Sequence, residues 1–284
     1  MGLQLPKRAR RIGLASVLTA GSLLLGACSS EDKAQIRRLA QPVGVTDRTD
    51  VMHSLWMWSW LAAILTGILV WGLIFYACFK YRRRHDDEIP VQTRYNLPIE
   101  ILYTVAPVVM VVVFFFFTVQ AQDKVLADDK KPDHVVYVVG QQWSWTFNYT
   151  KEPEVGGQTV YDAGTTAYRP TLVLPVNESV DFELRSPDVI HSFWVPAFLM
   201  KMDIVPGLKN HFELTPTREG TYVGRCAELC GAYHSRMLFN VKVVSHADYA
   251  TYLKSLQGKG QTGLALGGAD ARTQAGLEQN GAGE

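Results

Sequence analysis

The chain has 284 residues, with 28 Lys and Arg against 27 Asp and Glu, for a formal charge of +1. Lys7, Arg8, Arg10 and Arg11 place +4 in the first 27 residues, which hold no acid, and leave −3 on the rest. That balance excludes the basic footprint of a nucleic-acid-binding protein. The length allows one or two domains, and the apolar content is gathered into three runs.

Residues 1–27 read as a secretion signal: a basic start, an apolar run from Ile12 to Leu25, then small residues. The ending Leu25-Gly26-Ala27-Cys28 looks like a bacterial lipoprotein box, with cleavage before Cys28 and a lipid attached to it; ordinary cleavage nearby is the alternative. Residues 28–53 are polar and show no periodicity. Residues 54–119 read as a transmembrane helical hairpin. Its first span, Ser54 to Phe79, is long enough to cross a bilayer and opens on Trp56, Trp58 and Trp60, as interfacial aromatics do. Cys78, in its last turn, reads as a buried, inert thiol. The block Lys80-Tyr81-Arg82-Arg83-Arg84 places the connecting loop in the cytoplasm. The second span, Ile99 to Val119, contains Pro107, which a membrane helix tolerates with a kink. Glu100 stands at its start, where a carboxylate either favours a helix N-terminus or feeds a proton path at the membrane interface. The chain beyond residue 120 therefore lies on the outer side.

From Asp133 the pattern changes to short β-rich runs: 135–139, 143–149, 171–174, 179–185, 189–195, 211–214, 221–226 and 238–244. Asp181, Glu183 and Arg185 alternate with Phe182 and Leu184, the period of a half-buried strand. Regularly spaced short strands predict a sandwich or barrel. Residues 150–169 read as a surface insertion, and 257–284, rich in Gly, Ala and Gln, as a flexible tail. His53, His85, His134, His211 and His246 have no motif partners and read as structural or surface residues.

Within this region the stretch from Arg225 to Met237 carries Cys226, Cys230, His234 and Met237, spaced Cys-x3-Cys-x3-His-x2-Met. Thiolate, imidazole and thioether select copper over hard cations, and a Cys-His-Met loop with a distant His is the ligand supply of a copper electron-transfer site. His191 can be that distant His, and the second Cys allows two thiolates to bridge a pair of coppers. A disulfide or half of a zinc site could use the cysteines, but neither accounts for His234, Met237 and His191 together.

The loop and the His191 segment resemble the binuclear copper (CuA) site of cytochrome c oxidase subunit II, and the similarity runs from about residue 45 to about residue 250. The resemblance implies a cupredoxin-like Greek-key β-sandwich over residues 120–256, carried on the two-helix membrane hairpin. It implies bridging thiolates from Cys226 and Cys230, one histidine per copper from His191 and His234, and weak ligation by the Met237 sulfur and the Glu228 backbone carbonyl. It further implies a magnesium ion shared with subunit I through the Glu228 carboxylate, electron entry at Trp143, a donor-docking acid at Asp188, and Glu100 at the mouth of a proton channel. Ser144 stands where family members often have an aromatic. The implied role is electron-receiving subunit of a respiratory haem-copper oxidase in a bacterial cell membrane. Its electron donor is cytochrome c, or a tethered cytochrome c domain of a quinol-oxidising complex. Haems and CuB belong to subunit I, where oxygen is reduced and protons are translocated, so this chain alone turns nothing over. The other readings are a quinol-oxidase-type subunit II, which lacks the copper ligands; nitrous oxide reductase, whose catalytic domain is not evident; and a membrane-anchored copper carrier or assembly protein.

Overall fold

The computed structural model describes residues 29–85, 88–89, 91–128 and 131–267. The signal segment and Cys28 lie outside the described residues. The chain divides into two units, 1–42 and 43–284. In the first, the described part is one short helix, α1 (Ser30–Arg37). Ser29 caps it: its hydroxyl accepts the Asp32 N–H, and the Asp32 carboxylate accepts the Ser29 N–H at 2.9 Å. The sequence reading missed this helix because the pattern is polar all round.

The second unit opens with two long helices, α2 (Thr49–Lys80) and α3 (Leu97–Val125). Each is long and apolar enough to cross a membrane. They begin and end a few residues outside the expected spans. Helix α3 runs unbroken through Pro107. Large apolar side chains such as Leu65, Ile68, Leu69, Val111 and Phe115 are exposed on them, as suits helices whose surroundings are lipid. Cys78, expected to be buried, is exposed for the same reason: a pair of helices covers little of either one.

Ten strands follow: β1 (His134–Gln141), β2 (Ser144–Glu152), β3 (Gln158–Ala163), β4 (Thr171–Pro175), β5 (Val180–Arg185), β6 (His191–Val195), β7 (Met200–Ile204), β8 (Asn210–Leu214), β9 (Gly220–Cys226) and β10 (Leu238–Val244). They form two five-stranded sheets, ordered β3-β2-β1-β5-β8 and β4-β10-β9-β6-β7. Pairs β1–β5 and β10–β4 are parallel and the rest antiparallel. This crossing of strands between sheets is the cupredoxin-like Greek-key sandwich that the resemblance implies.

One stack of rings holds the sheets face to face. Trp145, Phe147, Phe182 and Phe212 come from the first sheet, and Phe193 and Phe239 from the second. Phe182 and Phe212 lie 4.9 Å apart, Phe193 and Phe239 5.0 Å, and Trp145 and Phe239 5.1 Å between ring centres. Such contacts add to the area each ring buries. Gly224 on β9 lies under the Phe239 ring, which leaves no room there for any side chain.

Two expectations change. Residues 150–169 are not only a surface excursion, since they contain β3, whose register runs Thr146↔Ala163 to Tyr149↔Val160 against β2. The flexible tail does not begin at 257. Helix α4 (His246–Gly258) precedes a segment in which Thr262 bridges to Val160, and Ala265 N–H donates to the Asn148 side chain at 2.7 Å. That backbone is satisfied by an edge strand and a buried amide, so lack of periodicity did not mean lack of order.

Candidate metal centre

Three strand ends meet at one end of the sandwich. Strands β6 and β9 pair at Phe193↔Cys226, which sets His191 and Cys226 side by side. Cys226 N–H donates to the Met237 carbonyl at 3.0 Å, and Ala227 N–H to the Ser192 carbonyl at 3.1 Å, closing the loop over the start of β6. A short 3-10 turn, His234–Arg236, brings His234 and Met237 back toward the cysteines.

The donors converge. Sγ of Cys226 and Sγ of Cys230 are 3.9 Å apart, both free thiols, well beyond the roughly 2.05 Å of a disulfide. Nδ1 of His191 is 3.9 Å from Cys226 Sγ, and Nδ1 of His234 is 3.5 Å from Cys230 Sγ. Sδ of Met237 lies 3.8 Å from Cys230 Sγ, and the Glu228 carbonyl oxygen 3.2 Å from Cys226 Sγ. His191, Cys226 and Cys230 are buried with their ligand atoms within 4.8 Å of one another. Two sulfurs, each with an imidazole nitrogen within 4 Å, suit a pair of soft or borderline ions, so the residues fit the copper pair implied for them.

The charges fit as well. The thiol of Cys230 against its sulfur, with His191 and the Ser192 and Glu228 backbone, holds Cys226 well below the ordinary thiol value despite burial. The same contact pushes Cys230 far up. A metal held here would take both cysteines as thiolates and release their protons. Burial opposes charge on His191, but Asp188 and the Cys226 sulfur raise its pKa.

Asp188 is part of this site. Its Oδ1 lies 2.9 Å from His191 Nε2 and accepts the Val189 N–H at 2.6 Å, while Oδ2 accepts the Gln142 N–H at 2.7 Å. Burial alone would raise this carboxyl, yet those bonds hold it below the ordinary value. A carboxylate on the far nitrogen of a ligating histidine fixes the ring and its tautomer. The acid expected in docking thus also holds the ring of His191.

Trp143 and Trp145 part ways. Trp145 is buried, with its indole N–H on the Met237 carbonyl at 3.2 Å. Trp143 is half-buried, with its N–H on the Cys230 carbonyl at 3.1 Å. Gly231, at φ 119°, leaves the space that the Trp143 ring fills. Gln142, which the sequence reading passed over, donates its side-chain amide to the same carbonyl at 2.8 Å. Its position next to Trp143 was the only available signal. Glu228 is exposed on the loop. Glu100 accepts the Asn96 N–H at 2.8 Å, the helix-cap alternative weighed for it.

A membrane-anchored cupredoxin-like sandwich with thiol, imidazole and thioether donors gathered at its loop end belongs to the copper-type electron-transfer domains. A family described as cytochrome c oxidase subunit II, periplasmic domain, matches residues 134–244. The probable cytochrome c oxidase subunit 2 of Streptomyces avermitilis is 48% identical over 300 aligned positions, covering 93% of this chain and 92% of its own. Cytochrome c oxidase subunit 2 of Corynebacterium diphtheriae is 35% identical, covering 86% and 84%. The crystal structure of the periplasmic domain of subunit II of cytochrome oxidase from Bradyrhizobium japonicum is 29% identical. It covers 45% of this chain and 96% of its own, with a TM-score of 0.40. The chain belongs to the cytochrome c oxidase subunit II family: it is a membrane-anchored subunit of a haem-copper oxidase, partner to subunit I, and its family carries a copper centre.

Proposed function

We propose that this chain receives electrons from a c-type cytochrome on the outer side of a bacterial membrane and hands them to haem in subunit I, where oxygen is reduced and protons are translocated. The observation that carries this reading is the convergence of Cys226, Cys230, His191, His234, Met237 and the Glu228 carbonyl on one buried spot. Cys226, Cys230, His191 and His234 would hold the copper, which when bound would supply a one-electron couple with little reorganisation. The protein's part is to keep the ligands still. Asp188 locks the His191 ring, the Cys226–Met237 backbone bond closes the loop, and Gln142 and Trp143 together hold the Cys230 carbonyl.

Trp143 is the entry point in this reading. Its indole is partly exposed and hydrogen-bonded to the main chain of Cys230, giving a short bonded path from surface to sulfur. Replacing it with Phe slows electron entry and leaves the copper spectrum unchanged; a normal entry rate counts against the role. The exposed Glu228 carboxylate, a hard oxygen donor, holds magnesium together with subunit I. Glu100 marks the mouth of a proton path in that subunit. The Lys80–Arg84 block lies in the cytoplasm and the sandwich outside. Cys28 carries a lipid.

The test is the electron paramagnetic resonance spectrum of the full-length chain, solubilised in detergent and loaded with copper. Hyperfine splitting from one electron shared equally by two copper nuclei is expected. A mononuclear signal points instead to a copper carrier.

A further inference from the structure

A cleft of about 320 Å³ opens beside Trp143, lined by Trp143, Thr166, Ala167, Tyr233 and Arg236. No acid lines it. Tyr233 stands at right angles to Trp143, with ring centres 5.2 Å apart, and the Arg236 guanidinium lies over the Tyr233 ring at 5.7 Å. Arg225, at the other end of the metal-binding loop, lies over Trp194 at 5.3 Å. Among the described residues the arginine ion pairs are those of Arg38, Arg48 and Arg185, so both loop guanidinium groups keep their N–H edges uncommitted to a carboxylate. From Arg225 to Met237 the chain has two arginines against one acid, Glu228. Asp188, the acid expected to meet a basic donor, holds His191, Val189 and Gln142 with its two oxygens while its side chain stays 30% exposed.

We propose that the Trp143–Tyr233–Arg236 cleft seats an acidic side chain of the electron-donor protein. The proposal rests on electron entry at this face. A guanidinium stacked on an aromatic ring is held in place with its fork outward, and that fork takes a carboxylate through two parallel hydrogen bonds. Tyr233 thus presets Arg236, and the cleft beside it gives the incoming carboxylate a place within reach of the Trp143 ring. Charge on such a rim sets the rate of encounter and its salt dependence more than the tightness of the complex. The donor that suits this face carries an acidic patch, whether it diffuses or is tethered.

The experiment uses the assembled oxidase containing this chain and two soluble c-type cytochromes of similar potential, one with an acidic surface and one with a basic surface. Oxidation of each reduced cytochrome is followed by stopped flow across a range of ionic strength. The acidic probe is expected to react about fivefold or more faster than the basic one at low salt, with the rates converging as salt rises. Arg236→Gln is expected to lower the acidic-probe rate about fivefold, Arg236→Glu to reverse the preference, and Arg236→Lys to keep part of it. The copper resonance signal of each variant reports whether the neighbouring ligands survive. A wild-type preference for the basic probe overturns the proposal. So does an Arg236→Glu variant that keeps its copper signal and oxidises the acidic probe within twofold of wild type. The wild-type salt dependence decides the matter even where a variant loses copper. Slow entry in Trp143→Phe with normal rates in Arg236→Gln removes the cleft and keeps the entry role. The opposite pattern removes Trp143 and keeps the cleft.

Discussion

Asp188 and Gln142 decide how firmly the two halves of the metal centre are joined. The Gln142 main chain holds Asp188, Asp188 holds His191, and the Gln142 side chain holds the cysteine loop at the Cys230 carbonyl. Asp188→Ala frees the imidazole to rotate and leaves its outer nitrogen unpaired. Loss of such a partner lowers metal affinity about 10- to 100-fold, which competition against a copper chelator would read; affinity within twofold of wild type would show that the ring is held by packing alone. Met237 acts differently. Its sulfur lies 3.8 Å from Cys230 Sγ, and in the proposed copper site it would be the weak donor. Met237→Leu should keep copper bound while moving the potential, because the axial donor tunes the redox couple. A redox titration followed in the visible bands gives the answer, and an unmoved potential would remove Met237 from the ligand set.

Elements were legible in the sequence where burial has a period, and missed where tertiary contacts supply the order. Strand β5 was readable from Val180, Phe182 and Leu184 pointing one way and Asp181, Glu183 and Arg185 the other. Strand β7 carries the same alternation in Met200-Lys201-Met202-Asp203-Ile204, so its signal was present and passed over. Strand β3 is an edge strand with exposed positions, and its signal was weak. Helix α4 is short, and its docking depends on distant residues. The clustering of Cys226, Cys230, His234 and Met237 was readable because their spacing is local, whereas the Asp188 bond to His191 depends on how strand ends meet. The histidines without motifs show the same limit. His134, buried on β1, lies between Glu152 at 3.0 Å and Glu178 at 2.8 Å, and Glu178 also holds His246 of α4 at 3.0 Å. Tyr249 of α4 donates to Glu152 at 3.0 Å, and Glu154 faces His246 at 3.5 Å. Burial opposes charge on His134, but the two carboxylates lift its pKa to about 9. A raised pKa stabilises the fold fully below the unfolded value near 6.5, and the contribution is lost as pH climbs through 9. Thermal unfolding of the solubilised chain should therefore fall in midpoint between pH 7 and 10, and His134→Asn should flatten that slope. Equal slopes in the two proteins would place the titration elsewhere.

At the scale of the whole second unit, the membrane hairpin and the sandwich share more than a covalent link. Before α2 begins, residues 43–49 run against the sandwich as a strap. Val45 N–H donates to the Ala197 carbonyl at 3.1 Å, and Thr217 N–H donates to the Val45 carbonyl at 2.8 Å. Asp47 N–H donates to the Thr215 carbonyl at 3.0 Å, and the Asp47 side chain accepts the Thr215 N–H at 2.8 Å. The Val45 side chain is 1% exposed and belongs to the core. Arg48 then donates to the Lys124 and Ala127 carbonyls, at 3.0 and 2.9 Å, where the last turn of α3 leaves its acceptors open. The strap that ties the start of α2 to the sandwich thus also holds the end of α3. A donor and acceptor site that must stay in fixed relation to a partner in the membrane gains from that bracing. The consequence is that a soluble fragment beginning after α3 lacks a piece of its own core. Burial of one valine contributes about 2 kcal/mol, and the strap's backbone bonds add to it. Urea unfolding followed by Trp145 fluorescence should rank the full chain first, full-length Val45→Ala about 2 kcal/mol below it, and the fragment 131–267 lower again. If fragment and full chain unfold at the same urea concentration, the strap only rests on the sandwich, and the bracing must come from the partner subunit.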